Sequence, residues 1–145
     1  MIIVTILFLA FQFSIVQQPP GEFVSLPANA DEVAQVFPIE RSTKATVLSA
    51  HSHLAGQSFY SLKSGDRITL TTSDGGLVEY NVTGVYAFAV RDDIWRDLNG
   101  GGSVPDWGIN VRFFARFKGL ILFTCLEVDG RPSGGRLIIK AERVR

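Results

Sequence analysis

Short stretches in which apolar and polar residues alternate, separated by turn-forming residues, run through most of this chain. The clearest pair is residues 67–72 and residues 77–90, joined by Ser73-Asp74-Gly75-Gly76. Apolar and polar residues alternate from residue 78 to residue 83, which is the period of a half-buried strand. Asp-Gly supplies the positive-φ positions that a tight turn needs. The pattern therefore predicts an antiparallel hairpin.

Other segments predict the remaining elements. An apolar first strand is expected within residues 1–16, and further strands are expected at residues 44–50, 120–124 and 136–142. Helical features are short: a turn beginning at Asp31 and Glu32, a turn or one helix at residues 56–62, and a helix at residues 93–98. Residues 109–114 are expected to be extended. Many short strands and few long helical patterns predict an all-β fold, a closed or nearly closed barrel of about eight strands with short helices in the loops.

No repeat, low-complexity tract or long linker divides the sequence, so residues 1–145 are expected to form a single domain. Its start has two interpretations. Residues 1–16 carry no charge and could be a truncated signal or anchor segment, but they lack a basic flank and are shorter than the roughly 20 residues of a spanning helix. The buried first strand, stopped by Pro19-Pro20-Gly21, is preferred.

Composition narrows the classes of function. Apolar residues make up 46% and charged residues 19%, which favours a folded domain and gives no sign of nucleic-acid binding. Residues 111–145 hold eight Lys and Arg against three acids, so this segment is electropositive. The charges either lie on solvated strand faces or create an electric field with a functional role. Cys125 is the only cysteine, which excludes an intramolecular disulfide and a thiolate zinc cluster. It is either a buried small hydrophobe or a reactive thiol.

Three reactive residue types fall at the ends of predicted strands. His51 follows one strand, Cys125 follows another, and Arg136 begins a third. Strand ends present side chains at the rim of a barrel from a rigid frame. A cysteine needs positive charge nearby to be a good nucleophile at neutral pH, and His or Arg can provide it.

At these positions the sequence resembles the sortase family of cysteine transpeptidases. Residues 121–125, I-L-F-T-C, are similar to the family signature T-L-x-T-C, with Ile121 in place of the first Thr. Residues 136–141 resemble the family's C-terminal strand, which opens with the catalytic Arg. Residues 47–52 resemble the strand that ends in the catalytic His, and residues 59–66 resemble the F-x-x-L-x-x-G-D segment that follows that strand. The order and the spacings fit from about Phe8 onward.

Two departures accompany the resemblance. The family usually has Gly before the His, and this chain has Ala50, a small residue that leaves the imidazole in place. Residues 91–110 are longer than the equivalent loop in most members. That loop borders the substrate groove in the family, so the difference concerns specificity rather than chemistry.

The resemblance implies that Cys125 is the nucleophile, His51 its proton-transfer partner and Arg136 the cation at the substrate carbonyl. The neighbouring residues Ala50, Ser52 and Thr124 are the expected substrate-binding residues. The implied substrate is a surface protein with an L-P-x-T-G-like sorting signal, cleaved through a thioester and transferred to an amine on a cell-wall precursor or a pilin-type protein. The implied site is extracytoplasmic, at the cell surface, with membrane association through an N-terminal anchor in the full-length protein. No cofactor or metal is expected, and no nucleic-acid partner.

The sequence leaves alternatives open for the reactive residues and for the class of protein. His53 is the competing histidine, two residues along the chain from His51, and a metal site built on both histidines is a third interpretation that lacks a carboxylate at signature spacing. The chain could also be a catalytically silent β-barrel peptide-binding module. The other family of cell-wall cysteine transpeptidases usually has His-Gly before its cysteine, whereas Phe123-Thr124 precedes Cys125 here.

Overall fold

The computed structural model of the chain describes residues 3–8, 11–18, 25–36, 45–115 and 117–145, and most of these residues lie in strands of one sheet. The ten strands, in chain order, are β1 Ile3–Phe8, β2 Phe11–Gln17, β3 Glu32–Val36, β4 Thr46–Ser49, β5 Arg67–Thr72, β6 Leu77–Arg91, β7 Ile94–Asp97, β8 Ser103–Pro105, β9 Leu120–Val128 and β10 Arg131–Arg143. Two helical segments interrupt them: a 3₁₀ helix at Ala55–Ser61, and a second helix that begins at Asp106–Ile109 and continues as π turns through Asn110–Phe114.

Eight of these strands close into a barrel. The order around it is β10-β9-β4-β3-β2-β1-β5-β6, and β6 pairs again with β10. Neighbouring strands are antiparallel except β2 with β3 and β4 with β9, which are parallel. The β7–β8 hairpin extends the sheet from β6 outside the ring. The predicted all-β barrel of about eight strands is thus confirmed.

The strands bury apolar side chains on both of their faces. The interior of the barrel is filled from almost every strand and from the 3₁₀ helix, by residues that include Ile6, Phe13, Val33, Leu48, Phe59, Ile68, Leu70, Leu122, Leu137 and Ile139. A second cluster covers the outer face of β4, β6, β9 and β10 beneath the β7–β8 hairpin and the second helix: Val47, Phe88, Trp95, Ile109, Phe113, Ile121 and Ile138. Both faces of β9 and β10 are therefore apolar, as in sheets covered on two sides.

Several predicted elements are confirmed and others are wrong. The hairpin of β5 and β6 and the short helix after His51 form as expected. The apolar start, however, forms two antiparallel strands rather than one, with Phe8 opposite Phe11. The helical turn expected at Asp31 and Glu32 is also wrong, because β3 begins at Glu32 and pairs with β2 and β4.

Residues 93–114 show the largest difference from the sequence prediction. The expected helix at residues 93–98 is strand β7, which pairs with the end of β6 and buries Trp95 in the outer cluster. The expected extended segment at residues 109–114 is helical. Ile109 and Phe113, four residues apart on one side of that helix, are 2% and 1% exposed and cover the sheet. Among the described residues, no helix is both long and apolar enough to cross a membrane.

Candidate active site

Three adjacent strands bring His51, Cys125 and Arg136 to one level of the barrel wall. His51 follows the end of β4, as expected, whereas Cys125 and Arg136 lie within β9 and β10 and not at the strand ends that the sequence predicted. Cys125 on β9 lies directly opposite Arg136 on β10. Residues paired in this way are about 4.5–5.5 Å apart at Cα and point to the same face of the sheet. On the other side of β9, Ser49 at the end of β4 is level with Phe123, and His51 follows two residues later, as Cys125 follows Phe123. All three side chains are half-buried.

Cys125 and Arg136 belong to the outer face of the barrel. Leu120 and Leu122 point into the interior, and the intervening Ile121 joins the outer cluster, so the alternation of β9 carries Cys125 to the outside. Phe88 on β6 is opposite Arg136 and is fully buried. The thiol and the guanidinium therefore lie at the border of an apolar cluster, where nearby charges interact more strongly than in open water.

A bulge in β10 sets the pairing of Cys125 with Arg136. The hairpin turns at Asp129 and Gly130, both with positive φ (52° and 72°), and pairs Arg131 with Val128. A regular ladder from there would place residue 134 opposite Cys125. Instead the register shifts between Arg131 and Gly135, and two extra residues of β10 bring Arg136 to that position.

Residues of the bulge also hold the Arg136 side chain. Its Nη1 donates hydrogen bonds to the carbonyl oxygens of Ser133 (2.9 Å) and Gly135 (2.8 Å). A Cβ on Gly135 would meet the carbonyl oxygen of Phe88, so this position accommodates only glycine without a shift of the backbone. The bulge thus fixes both the position and the orientation of the guanidinium.

Contacts from the barrel interior fix the turn that carries His51. The Thr124 hydroxyl donates a 2.7 Å hydrogen bond to the carbonyl oxygen of Ala50, and the backbone N–H groups of Leu54 and Gly56 each donate to the carbonyl oxygen of His51 at 3.0 Å. A Cβ on Gly56 would collide with the Thr124 hydroxyl and the His51 carbonyl. The backbone before and after the imidazole is therefore held in place.

Two of the three predicted substrate-binding residues face the interior instead of a groove. Ala50 and Thr124 are 2% and 1% exposed. Each precedes an outward-facing residue, and successive residues of an extended chain point to opposite sides, so both side chains turn inward. The sequence prediction placed both side chains at the substrate, whereas the structure places them inside the barrel. Ser52 is half-buried and lines an open cleft, so its substrate-binding role stays a prediction.

This cleft lies beyond the end of β4, beside the part of β9 that follows Cys125. It has a volume of about 640 Å³ and is lined by Ser52, His53, Tyr60, Leu126, Glu127 and Pro132. His53 is exposed there, and its ring centroid is 5.4 Å from that of His51. Among the described residues, no group of three or more His, Cys, Asp or Glu side chains could hold a metal ion.

Sequence reasoning did not single out Tyr60. Its hydroxyl donates a 2.5 Å hydrogen bond to the carbonyl oxygen of Cys125. Nothing in the sequence pattern signals this contact, because it depends on where β4 ends and how the 3₁₀ helix packs beside β9.

Solved structures with the same fold are sortases. The chain is similar to Listeria monocytogenes sortase A, with 14% identity, a TM-score of 0.64, and 99% of this chain and 88% of that one covered. It is similar to sortase C from Clostridium perfringens, with 17% identity, a TM-score of 0.59 and coverage of 99% and 70%. It also resembles the pilus-related sortase C of Group B Streptococcus, with 17% identity, a TM-score of 0.60 and coverage of 99% and 67%. No curated protein sequence matches the chain.

These likenesses define the fold as that of a sortase barrel. The family model described as Sortase domain matches residues 11–144, and the chain belongs to the sortase family. Membership supports a sortase-type function and implies the class of cysteine transpeptidases, acting on surface proteins at the cell surface.

Replacing Thr124 by Val should destabilise the protein by about 1–3 kcal/mol, because the isosteric side chain leaves the Ala50 carbonyl without its buried donor. The matched control is Thr83→Val: that hydroxyl donates to the Lys140 carbonyl at 3.3 Å from an exposed position, and its loss should cost within about 0.5 kcal/mol. Urea unfolding measures both values. Equal losses for the two variants would contradict the anchoring role of Thr124.

Proposed function

We propose that this member of the sortase family cleaves a sorting signal through a thioester on Cys125 and transfers the acyl group to an amine. The observation that carries the proposal is the β9–β10 register, which sets a half-buried thiol opposite a half-buried guanidinium, with His51 reached from the adjacent strand. A nucleophile, a proton carrier and a fixed cation are the groups that acyl transfer requires.

The first step forms the acyl-enzyme. The Cys125 thiolate attacks the carbonyl carbon of the Thr–Gly bond in an L-P-x-T-G-like peptide. The C–N bond then breaks, and protonated His51 gives its proton to the departing amine, which leaves a thioester and a neutral imidazole. In the second step an amine attacks the thioester, His51 takes up its proton, and the thiolate leaves. Water is the slower acceptor and gives hydrolysis.

Arg136 acts on the oxygen of the reacting carbonyl. Its guanidinium carries five N–H donors in a planar fork, and Nη1 is held by the two carbonyl oxygens of the bulge. Nε and Nη2 remain to donate to the oxyanion that develops during attack. A donor that is already positioned stabilises this charge without reorganisation.

The substrates that fit this proposal are surface proteins with a C-terminal sorting signal, and the acceptor is an amine of a cell-wall precursor or a pilin-type protein. The likeness to a pilus-related sortase C supports including a pilin-type protein among the acceptors. Such a reaction takes place outside the cytoplasm, at the membrane that holds the unsorted protein. A membrane anchor on the full-length protein would keep the site close to both substrates.

The proposal is tested by incubating the protein with a small library of L-P-x-T-G-like peptides and measuring its mass. An adduct of the acyl fragment on Cys125 is expected, removed by hydroxylamine and absent from Cys125→Ala. Because the chain has one cysteine, the assignment needs no further mapping. A parent protein that binds the peptides and never gains mass would instead be a binding module with a silent site.

Replacing His51 by Ala should lower the acylation rate by about 10²- to 10⁴-fold, since proton transfer to the leaving amine is lost. His53→Ala is the matched control, because it removes an exposed imidazole two residues away and should leave the rate within about tenfold of the parent. Single-turnover acylation by a saturating peptide measures both. The reverse order would assign the proton carrier to His53.

Arg136→Lys should keep the charge and lose most of the rate, because a lysine ammonium lacks the planar fork of donors. The expected loss in single-turnover acylation is on the order of 10²-fold, as for removal of one oxyanion donor. Arg136→Ala should be at least as slow. Acylation of the Lys variant at nearly the parent rate would show that Arg136 acts through its charge alone.

A further inference from the structure

At Cys125, strand β9 loses β4 as the neighbour of one of its edges. The backbone carbonyl of Phe123 points toward β4 and accepts a 3.4 Å hydrogen bond from the N–H of Ala50. Carbonyl groups two residues apart in a strand point the same way, so that of Cys125 also faces the β4 side. There β4 has already ended at Ser49, and the chain turns away to carry His51. No strand of the described residues can supply a donor to Cys125 at this edge.

Tyr60 supplies this donor. It lies in the 3₁₀ helix that follows the His51 turn, and its hydroxyl donates to the Cys125 carbonyl at 2.5 Å, the short end of the range for O–H···O bonds. The ring is 42% exposed and forms part of the cleft wall, so packing in the core does not explain its position. A side chain thus completes the hydrogen-bond ladder where the strand is missing.

Tyr60 is also joined to the segment that carries His51, because its 3₁₀ helix begins at Ala55 and the N–H of Gly56 donates to the carbonyl oxygen of His51. The Ser52 hydroxyl, next to the imidazole in sequence, interacts with the Tyr60 phenol and acts to lower its pKa. Burial raises the pKa of the Tyr60 phenol above its usual value, and the negative charge of a Cys125 thiolate raises it further; together these outweigh the effect of Ser52. The group therefore stays protonated near neutral pH, as a donor must.

We infer that Tyr60 is a positioning residue for the reaction: through its hydroxyl it ties the main chain of Cys125 to the turn that carries His51. The inference rests on the proposed role of Cys125 as the nucleophile. Without this bond the last residues of β9 before the cleft would be held on the β10 side alone, and the thiol would be less well placed against Arg136 and His51. Tyr60 touches neither the substrate carbonyl nor the thiol in this role.

The first test is a measurement that needs no substrate. Because the chain has one cysteine, protein labelled with 1-¹³C-cysteine gives a single labelled carbonyl resonance, that of Cys125. Tyr60→Phe removes only the hydroxyl and should move this resonance upfield, since the carbonyl loses a short hydrogen bond. Tyr80→Phe is the matched control: Tyr80 is 6% exposed inside the barrel, and its loss of a hydroxyl should leave the resonance in place.

The second test measures reactivity in the same variants, with thermal unfolding recorded to show that each is folded. Tyr60→Phe should slow alkylation of Cys125 by iodoacetamide and single-turnover acylation by a saturating peptide, each by about 3- to 10-fold, the size expected for one hydrogen bond. The half-saturating peptide concentration should not change, because binding contacts are kept. Tyr80→Phe should react at the parent rates.

The outcomes separate this inference from the proposed function. An unmoved carbonyl resonance in Tyr60→Phe overturns the inference, and so does a moved resonance with parent rates of both alkylation and acylation. If no peptide acylates the parent while Tyr60→Phe shifts the resonance and slows alkylation, the proposed function fails and the positioning role of Tyr60 stands.

Discussion

Strand β10 is paired along both of its edges, with β9 on one side and with β6 on the other, and the rest of the structure depends on this double pairing. It closes the barrel, so neither edge of the strand is exposed to pairing with another chain. It also fixes the register. A slip of one residue would exchange interior Leu137 and Ile139 for Arg136 and Ile138, which belong to the outer face. The position of the guanidinium is therefore decided by the burial of its neighbours.

The proposed reaction centre lies where this sheet is interrupted. Strand β4 ends at Ser49, and the sheet beyond it is replaced by a turn, a 3₁₀ helix and an open cleft. The residues with reactive groups point outward at this break. Those that hold them, Thr124 behind the wall and Tyr60 beside it, bond to main-chain carbonyl groups instead of to the reactive atoms. On β9, the reactive Cys125 is on the outer face, Thr124 is on the inner face, and Tyr60 bonds at the edge of the strand.

The sequence predicted the barrel because its hairpins leave local signals, such as the Asp-Gly turn between β5 and β6. It predicted the ends of β9 and β10 wrongly, because polar residues at Cys125 and Arg136 end the apolar runs although the strands continue to Val128 and begin at Arg131. Residues 93–114 were predicted wrongly for two different reasons. Strand β7 forms a tight hairpin with β6, and its turn at Asp92 and Asp93, both with positive φ, is a local signal that the prediction missed. The second helix depends on a more distant partner, because Phe113 packs against Phe88 of β6. The spacing of Ile109 and Phe113 was the one local signal of a helix. The inward orientation of Thr124 follows from alternation, whereas the contact of Tyr60 depends on where β4 ends.

The bulge in β10 makes the meeting of two reactive side chains a matter of register. A regular ladder over the same residues would place Arg136 opposite Phe123, about 7 Å along the strand from the thiol. A register that differed by a single residue would direct the same side chain into the barrel. An alignment that finds both the cysteine and the arginine in another chain therefore does not by itself establish that the two side chains meet, because the backbone between them decides which residues are opposite each other.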